Sequence, residues 1–433
     1  MNRLWILLTL FVCWNCESTE NKEAITAKPR ILISSDIGGT DPDDNQSMIH
    51  FLMYSDLFQT EGIISSPSYG KGSKEEILRM IGLYEKDLPL LEKHGSGFPP
   101  PDSLRLISKQ GRRGMAPFFG YDVATEGSDW IIHCARKESD KPLWILVWGG
   151  LDDLAQALHD GPDIQTRIRV YWIGGPNKKW SSNSYAYIAE NFPDLWFIEA
   201  NASYRGFFSN TLASDSLKNE NYYRNFIAGA GAMGKAFEGY YDGKIKMGDT
   251  PSLLYLMNGS PDSPTGESWG GSFQLITHSP RFIYNRNTSL QDTVLVYSIV
   301  EYQFRGPILD IPVDSACFTM TVTAGVGEQK WPGYYMGDGQ YAIRYAPKKA
   351  ERLTYEITSG IEGFPVQSGE LTVSDGWPGS KSEGDYILGA NWYTDRADAE
   401  EYDRGWQGAM TVLKWREDAL LDWARRWNWL RIQ

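Results

Sequence analysis

The chain runs to 433 residues with a formal net charge of −13, which argues against nucleic acid as a partner. Five histidines stand against 55 acidic residues, so a His-built transition-metal site is disfavoured and oxygen ligands are favoured. Only Cys134 and Cys317 lie beyond the N-terminal segment, too few for a disulfide framework, so the fold must rest on a hydrophobic core sufficient for one large domain and a smaller one.

The N-terminus opens with Arg3 in a charged region, followed by an apolar stretch from Leu4 to Val12 that is too short to span a bilayer. It ends at Cys13-Trp-Asn-Cys16 and gives way to a polar tract. The pattern resembles a bacterial lipoprotein signal over residues 1–16, with Cys16 as the lipidated residue and residues 17–28 as a flexible tether. An ordinary secretory signal is the alternative. Both imply export to the periplasm or cell surface, with a lipid at Cys16 as the one membrane contact.

Residues 29–289 alternate strand-like and helix-like segments. Arg30–Ser35 is an apolar strand, then a helix starts at Asp43. Thr60–Ser66 is a second strand, and Lys74–Leu88 is helical, with Ile77, Met80, Ile81 and Tyr84 on one face. Pro142–Trp148 is a continuous apolar strand ending in Gly149-Gly150, then a helix from Leu151 to His159. Arg167–Ile173 again ends in Gly-Gly, and Leu195–Ala200 follows a helix-like Ser184–Asn191. Strands alternating with helices predict a doubly wound, mostly parallel α/β sheet.

From Asp292 the texture changes. Short alternating runs separated by turns such as Gly337-Asp-Gly339 predict a small antiparallel β-sandwich module over 290–375, inserted in or appended to the α/β domain. In the last segment, 376–433, apolar Val412, Trp415, Ala419, Trp423, Trp427 and Leu430 recur at helical spacing. They predict a helix over 408–430 that packs its tryptophans on the α/β domain. The module is expected to be structural. If it binds glycan instead, exposed Trp331, Tyr334 or Tyr335 would carry the contact.

The segment Ile31-Leu-Ile-Ser-Ser-Asp36-Ile-Gly-Gly-Thr-Asp41-Pro-Asp43-Asp44 crowds four carboxylates around a Gly-Gly turn, between a buried strand and a helix. Such crowding is best explained by a hard cation with oxygen ligands, calcium being the candidate. Helix capping by Asp41 ahead of Pro42 would explain part of it, but needs neither Asp36 nor Asp43. Lys246-Met-Gly-Asp249-Thr-Pro-Ser places another acid before an apolar helix, again with capping as the plain alternative. Trp148-Gly-Gly-Leu-Asp152-Asp153-Leu-Ala155 is a third element. Glu199 and Asn201 follow a strand end, as does Asn177. The loop Thr265-Gly-Glu267-Ser268-Trp269-Gly-Gly would bring Glu267 and Trp269 over the pocket, or else be a plain surface loop.

These motifs resemble the nucleoside hydrolases. That family opens with Asp-x-Asp-Pro-Gly-x-Asp-Asp, carries Gly-Pro-Leu-Thr-Asn-Leu-Ala, and supplies a late His-Asp pair. Asp36 matches the second Asp of the opening motif, Asp43-Asp44 its closing pair, Gly150–Ala155 the second motif, and Asp249 the late Asp. The nearest resemblance is to bacterial cellulose-binding proteins with a nucleoside hydrolase-like domain, for which Ser-Asp-Ile-Gly-Gly-Thr-Asp-Pro-Asp-Asp and Gly-Asp-Thr-Pro-Ser are characteristic. It covers roughly residues 30–280 and the final helix. It implies calcium held by Asp36, Asp44, Asp249 and the backbone carbonyl of Asp152. It further implies catalytic water activation by Asp36 or Asp43 and a carbohydrate or glycoside ligand, for which Asp41, Asn177, Asn201 and Trp269 are the candidate contacts. Glu267 or Glu199 is the candidate leaving-group acid. Three departures stand out. Ser34 replaces the first acid, three residues are inserted before Asp43, and Gly248 replaces the late His that assists a departing base. A calcium-dependent glycosidase is therefore expected, with a non-catalytic carbohydrate-binding protein and a nucleoside N-ribohydrolase as alternatives.

Overall fold

The structure, a computed structural model, describes residues 28–431 apart from 40, 69, 71 and 326. The expected signal segment and lipidation at Cys16 lie outside the described residues. Among the described residues no helix is long and apolar enough to cross a membrane.

Six parallel strands come first in the chain: β1 (Arg30–Ser35), β2 (Gln59–Ser65), β3 (Ser108–Gln110), β4 (Leu143–Val147), β5 (Ile168–Ile173) and β6 (Trp196–Ala200). They lie in the order β3-β2-β1-β4-β5-β6, extended by the strand Trp392–Asp395, parallel to β6, and then by an antiparallel edge strand, Phe273–Leu275. The central strands are continuous apolar runs because helices cover both faces of the sheet. Alternation along β1 sends Ile31 and Ile33 to one core and Leu32 to the other. This is the doubly wound fold expected, and the strand order reverses between β1 and β4, the switch point where such sheets open a crevice.

The β-rich module is one mostly antiparallel sheet of eight strands, in the order Thr293–Leu295, Gln367–Ser374, Glu351–Thr358, Ser315–Ala324, Gly327–Gly337, Gln340–Tyr345, Ile299–Arg305 and Arg281–Tyr284. Only the two outermost pairs are parallel. The sheet folds over on itself: Tyr302 meets Tyr355, four strands away, at 4.6 Å between ring centroids, and Phe304 meets Phe318 at 5.3 Å. The sandwich is therefore a single coiled sheet. It already includes Arg281–Tyr284, and the chain then leaves it to re-enter the large sheet at Trp392–Asp395. The insertion is thus closed by a strand as well as by the C-terminal helices. The last helix is broken at Lys414-Trp415 into Ala409–Leu413 and Arg416–Trp429. Trp423 and Trp427 are fully buried against Tyr222 and Phe237.

The module shares its apolar core with one face of the large sheet. Trp331 stacks on Trp180 at 4.9 Å and 13° and donates its indole N–H to the Lys179 carbonyl at 3.2 Å. Asp314 accepts from the backbone N–H groups of Phe118 and Phe119, and the Arg344 guanidinium lies 3.7 Å over the Phe118 ring. Trp331, Tyr334 and Tyr335 are 1, 4 and 2% exposed, so they form no glycan platform. Trp331→Ala is expected to cost about 3–5 kcal/mol, as a large buried aromatic does, measured by denaturant unfolding. A loss below about 1 kcal/mol would disprove that this seam is a true core.

Candidate metal and active site

β1 ends at Ser35, and Asp36 follows at the carboxyl edge of the sheet. Gly38, at φ +86°, turns the chain back, and the Gly39 N–H donates to the Asp36 carbonyl at 3.0 Å. The backbone after β4 passes so close that a Cβ on Gly149 would lie 2.7 Å from that of Asp36. That glycine is what lets the two strand ends of the switch point meet.

The helix Asp43–Met53 has Pro42 at its cap position and no side-chain capping bond, and Asp41 turns away to pair with Lys246. Asp249 occupies a cap position but also makes no capping bond, and its Oδ2 is buried without a partner. Capping therefore accounts for neither acid. Carboxylate oxygens of Asp43, Asp44 and Asp249 lie within 4.8 Å of one another. Ser35 Oγ donates to Asp44 Oδ1, and Asp36 lies against Asp44 and Ser68. An oxygen-only donor set with an orphaned buried carboxylate oxygen fits a hard divalent cation.

Burial pushes Asp43 up to about 8, with the charge of Asp41 adding to it, and Asp36 up to about 6. Asp44 and Asp249 are driven well above the ordinary carboxylate range by burial, then by their acidic neighbours. The acids thus sit in an environment that penalises their negative charge unless a cation compensates it.

The cluster floors a cavity of about 450 Å³. Trp148, Asn177, Trp180, Tyr204, Arg205 and Lys246 form its walls, and Gln329 and Lys348 reach in from the β-rich module. A larger hollow of about 660 Å³ at the opposite, amino ends of the strands is lined by Lys137, Lys141 and Arg167. It lacks such a cluster, and ligands of α/β sheets bind at the carboxyl ends.

A doubly wound α/β domain with a carboxylate-floored cavity at its switch point defines the class of protein. Residues 30–273 match the family described as cellulose-binding Sde182, nucleoside hydrolase-like domain, and the chain belongs to that family. Residues 293–360 match a domain of unknown function, DUF5060. Among solved structures, a nucleoside hydrolase-related hypothetical protein from Saccharophagus degradans, associated with carbohydrate metabolism, is 20% identical with a TM-score of 0.48, covering 80% of this chain and 100% of that one. An inosine-guanosine nucleoside hydrolase is 13% identical with a TM-score of 0.37, covering 58% of this chain and 83% of that one. A putative glycoside hydrolase from Bacteroides vulgatus ATCC 8482 is 27% identical with a TM-score of 0.18 over 20% of this chain and 17% of that one. No curated protein matches the sequence.

Asp36, Asp41, Asp43, Asp44, Asn177 and Asp249 all line the cavity. Asn177 is fixed there by donating to the carbonyls of Trp148 and Ile173 and accepting from Ser68 Oγ at 2.6 Å. The other residues singled out are placed elsewhere. The Asp152 carboxylate accepts from Ala116 N, Ser181 Oγ and Ser184 Oγ, so its side chain is engaged away from the cavity. Glu199 is fully buried beneath the site and consumed by Lys178 (2.7 Å), Tyr185, Asn201 and Trp392. Asn201 is buried as well, accepting from Gly175 N. Glu267 is drawn away by Lys414 (2.8 Å) and the Trp415 indole (3.1 Å), and Trp269 lines a separate cleft beside Trp429. Glu267 and Trp269 are therefore not brought to the acid cluster, because the broken C-terminal helix holds their loop. Tyr204, Arg205, Gln329 and Lys348 were not singled out. Tyr204 and Arg205 lie in a short turn after β6, at the same sheet edge as the acids, whereas Gln329 and Lys348 lie in the module and reach the site only by docking.

Proposed function

We propose that this chain is an exported glycosidase of polysaccharide utilisation that uses calcium to activate water. The observation that carries the reading is the convergence of Asp43, Asp44 and Asp249 around an unpaired buried oxygen, with Asp36 beside them, at the floor of a cavity. Asp44 and Asp249 would hold the cation, with the Asp152 carbonyl and one of Asp36 and Asp43 completing the set. The ion would supply positive charge that acidifies a water and orients sugar hydroxyls. The remaining one of Asp36 and Asp43 takes the water's proton at its carboxylate. Buried Trp148 keeps bulk water from the floor, and half-buried Trp180 offers the aromatic surface for a sugar ring. Asn177, locked by three hydrogen bonds, presents a rigid polar edge. Tyr204 is the candidate proton donor on the wall, since Glu199, Glu267 and the Asp41-paired Lys246 are engaged. Export is supported by the charged-then-apolar N-terminal segment, and a glycan ligand by the cellulose-binding description of the family.

Gly248 favours a second reading, binding without hydrolysis. A Cβ there would lie 3.2 Å from Asp43 Oδ2 and 3.6 Å from the Tyr204 ring, a tight fit, and with glycine in this place nucleoside hydrolysis loses the imidazole that would assist the departing base. Incubating the full chain with plant glycans, oligosaccharides, inosine and uridine, with and without chelator, separates the readings. Calcium-dependent release of reducing sugar is expected. Retention on glycan without release would establish the binding reading, and ribose release would overturn both.

A further inference from the structure

We infer that the cavity is built for an acidic saccharide, whose carboxylate or sulfate is received by a basic wall that Arg205 and Lys348 assemble across the seam between the α/β domain and the β-rich module. The inference rests on the saccharide reading above and names its substrate class.

The cavity has two poles. Its floor is the acid cluster, whose nearest cation is Lys246, paired with Asp41. Its other wall carries Arg205 and Lys348. Neither has an ion-pair or hydrogen-bond partner among the described residues, and Arg205 Nε is buried and unsatisfied. Arg205 is held by stacking, its guanidinium carbon 3.8 Å from the Trp406 ring centre, which leaves its N–H edges free to meet an oxyanion. Lys348 and Arg205 line the same cavity, and Lys179, hydrogen-bonded to the cavity residue Gln329, adds a further cation nearby. Glu351 is the acid whose charge reaches both lysines, but it makes no ion pair with either and accepts from Gly325 N.

Docking alone does not explain this wall. Like charges brought together at a seam oppose association, and part-buried cations that make no direct ion pair cost free energy. Trp331, Asp314 and Arg344 already hold the module. An anionic substituent of the ligand would cancel that cost, and Arg paired with Lys is a donor set suited to carboxylate or sulfate oxygens. Hydroxyls of the same ligand would reach the acid pole. The module is then part of the specificity pocket as well as of the scaffold.

The test is titration calorimetry of the full chain with calcium present. The probes are trigalacturonate (carboxylate), a κ-carrageenan tetrasaccharide (sulfate without carboxylate) and cellotriose (neutral). One of the two acidic probes should bind at least about tenfold tighter than cellotriose, and the preference should shrink as salt rises. The better of the two identifies the anion. Lys348→Ala and Arg205→Gln should each lose about tenfold for that probe while leaving cellotriose unchanged, and Lys348→Glu should lose more. Melting curves with and without calcium check that each variant folds. Equal binding of acidic and neutral probes, or no effect of Lys348→Ala in a folded variant, overturns the inference. Absence of any saccharide binding overturns it too, while an intact calcium response would leave the metal reading standing. Acid-selective binding in a protein that ignores calcium would overturn the metal reading alone.

Discussion

Removing divalent cations with a chelator lowers the melting temperature of this protein at pH 8, and Asp44→Asn abolishes the response. A ligand held only by the native state stabilises by mass action, about 2.7 kcal/mol at a free concentration of 100 times its Kd, which is roughly 5 °C for a domain of this size. Cation-free Asp44→Asn should melt higher than the cation-free wild type, because it removes one negative charge from a buried acid cluster. The response depends on pH with a definite sign. Asp36 and Asp43 have folded-state pKa values raised to about 6 and about 8 from 3.8. Ionising a group whose folded pKa is raised is harder in the native state. Without cation, stability is therefore complete below the ordinary carboxylate pKa and falls as pH rises through about 6 to about 8. Added calcium should then stabilise more at pH 8 than at pH 5. A melting curve indifferent to chelator at both pH values would mean that the acids hold no metal.

Lys178→Met destabilises the protein by about 3–5 kcal/mol, because it leaves the Glu199 carboxylate buried without its cation. Lys178 and Glu199 are both fully buried and 2.7 Å apart, and Lys178 also packs 3.5 Å over the Tyr185 ring and 4.2 Å over that of Trp377. Burial holds the Lys178 ammonium down to about 8. The pair anchors the segment after β5 that delivers Asn177 and Trp180 to the cavity. The double variant Lys178→Met, Glu199→Gln should recover part of the loss, since it removes both buried charges together. Chemical denaturation reads the stability. The same variants decide the role of Glu199. A leaving-group acid would lose turnover in Glu199→Gln with stability retained, whereas a scaffold residue loses stability first.

The parts of this protein legible in the sequence are those that rest on local periodicity or on local crowding. Continuous apolar runs such as Leu143–Val147, each followed by a helical pattern, require a parallel sheet covered on both faces, and the strands formed where those runs lie. Asp36, Asp43, Asp44 and Asp249 stood out because carboxylates beside strand ends and helix starts need a reason to be there. The cavity gathers all four.

What only the tertiary structure decided lies in pairings between distant segments. Trp392–Asp395 is too short to carry a strand signal, yet it completes the large sheet beside β6, because an unpaired sheet edge is satisfied by whatever backbone the returning chain offers. Lys178 and Lys179 have no acid beside them in the sequence, yet Glu199 and the docked module bury them. Glu267 read as a pocket acid, but Lys414 and Trp415 of the C-terminal segment hold it elsewhere. Gln329 and Lys348 carry no local signal at all and join Arg205 only when the β-rich module closes on the α/β domain. The sequence by itself therefore determined the sheet and the acid floor of the cavity, whose causes are periodicity and charge within a few residues. The walls of the cavity, and with them the chemistry of what it admits, were decided by packing between segments far apart in the chain, which no local pattern encodes.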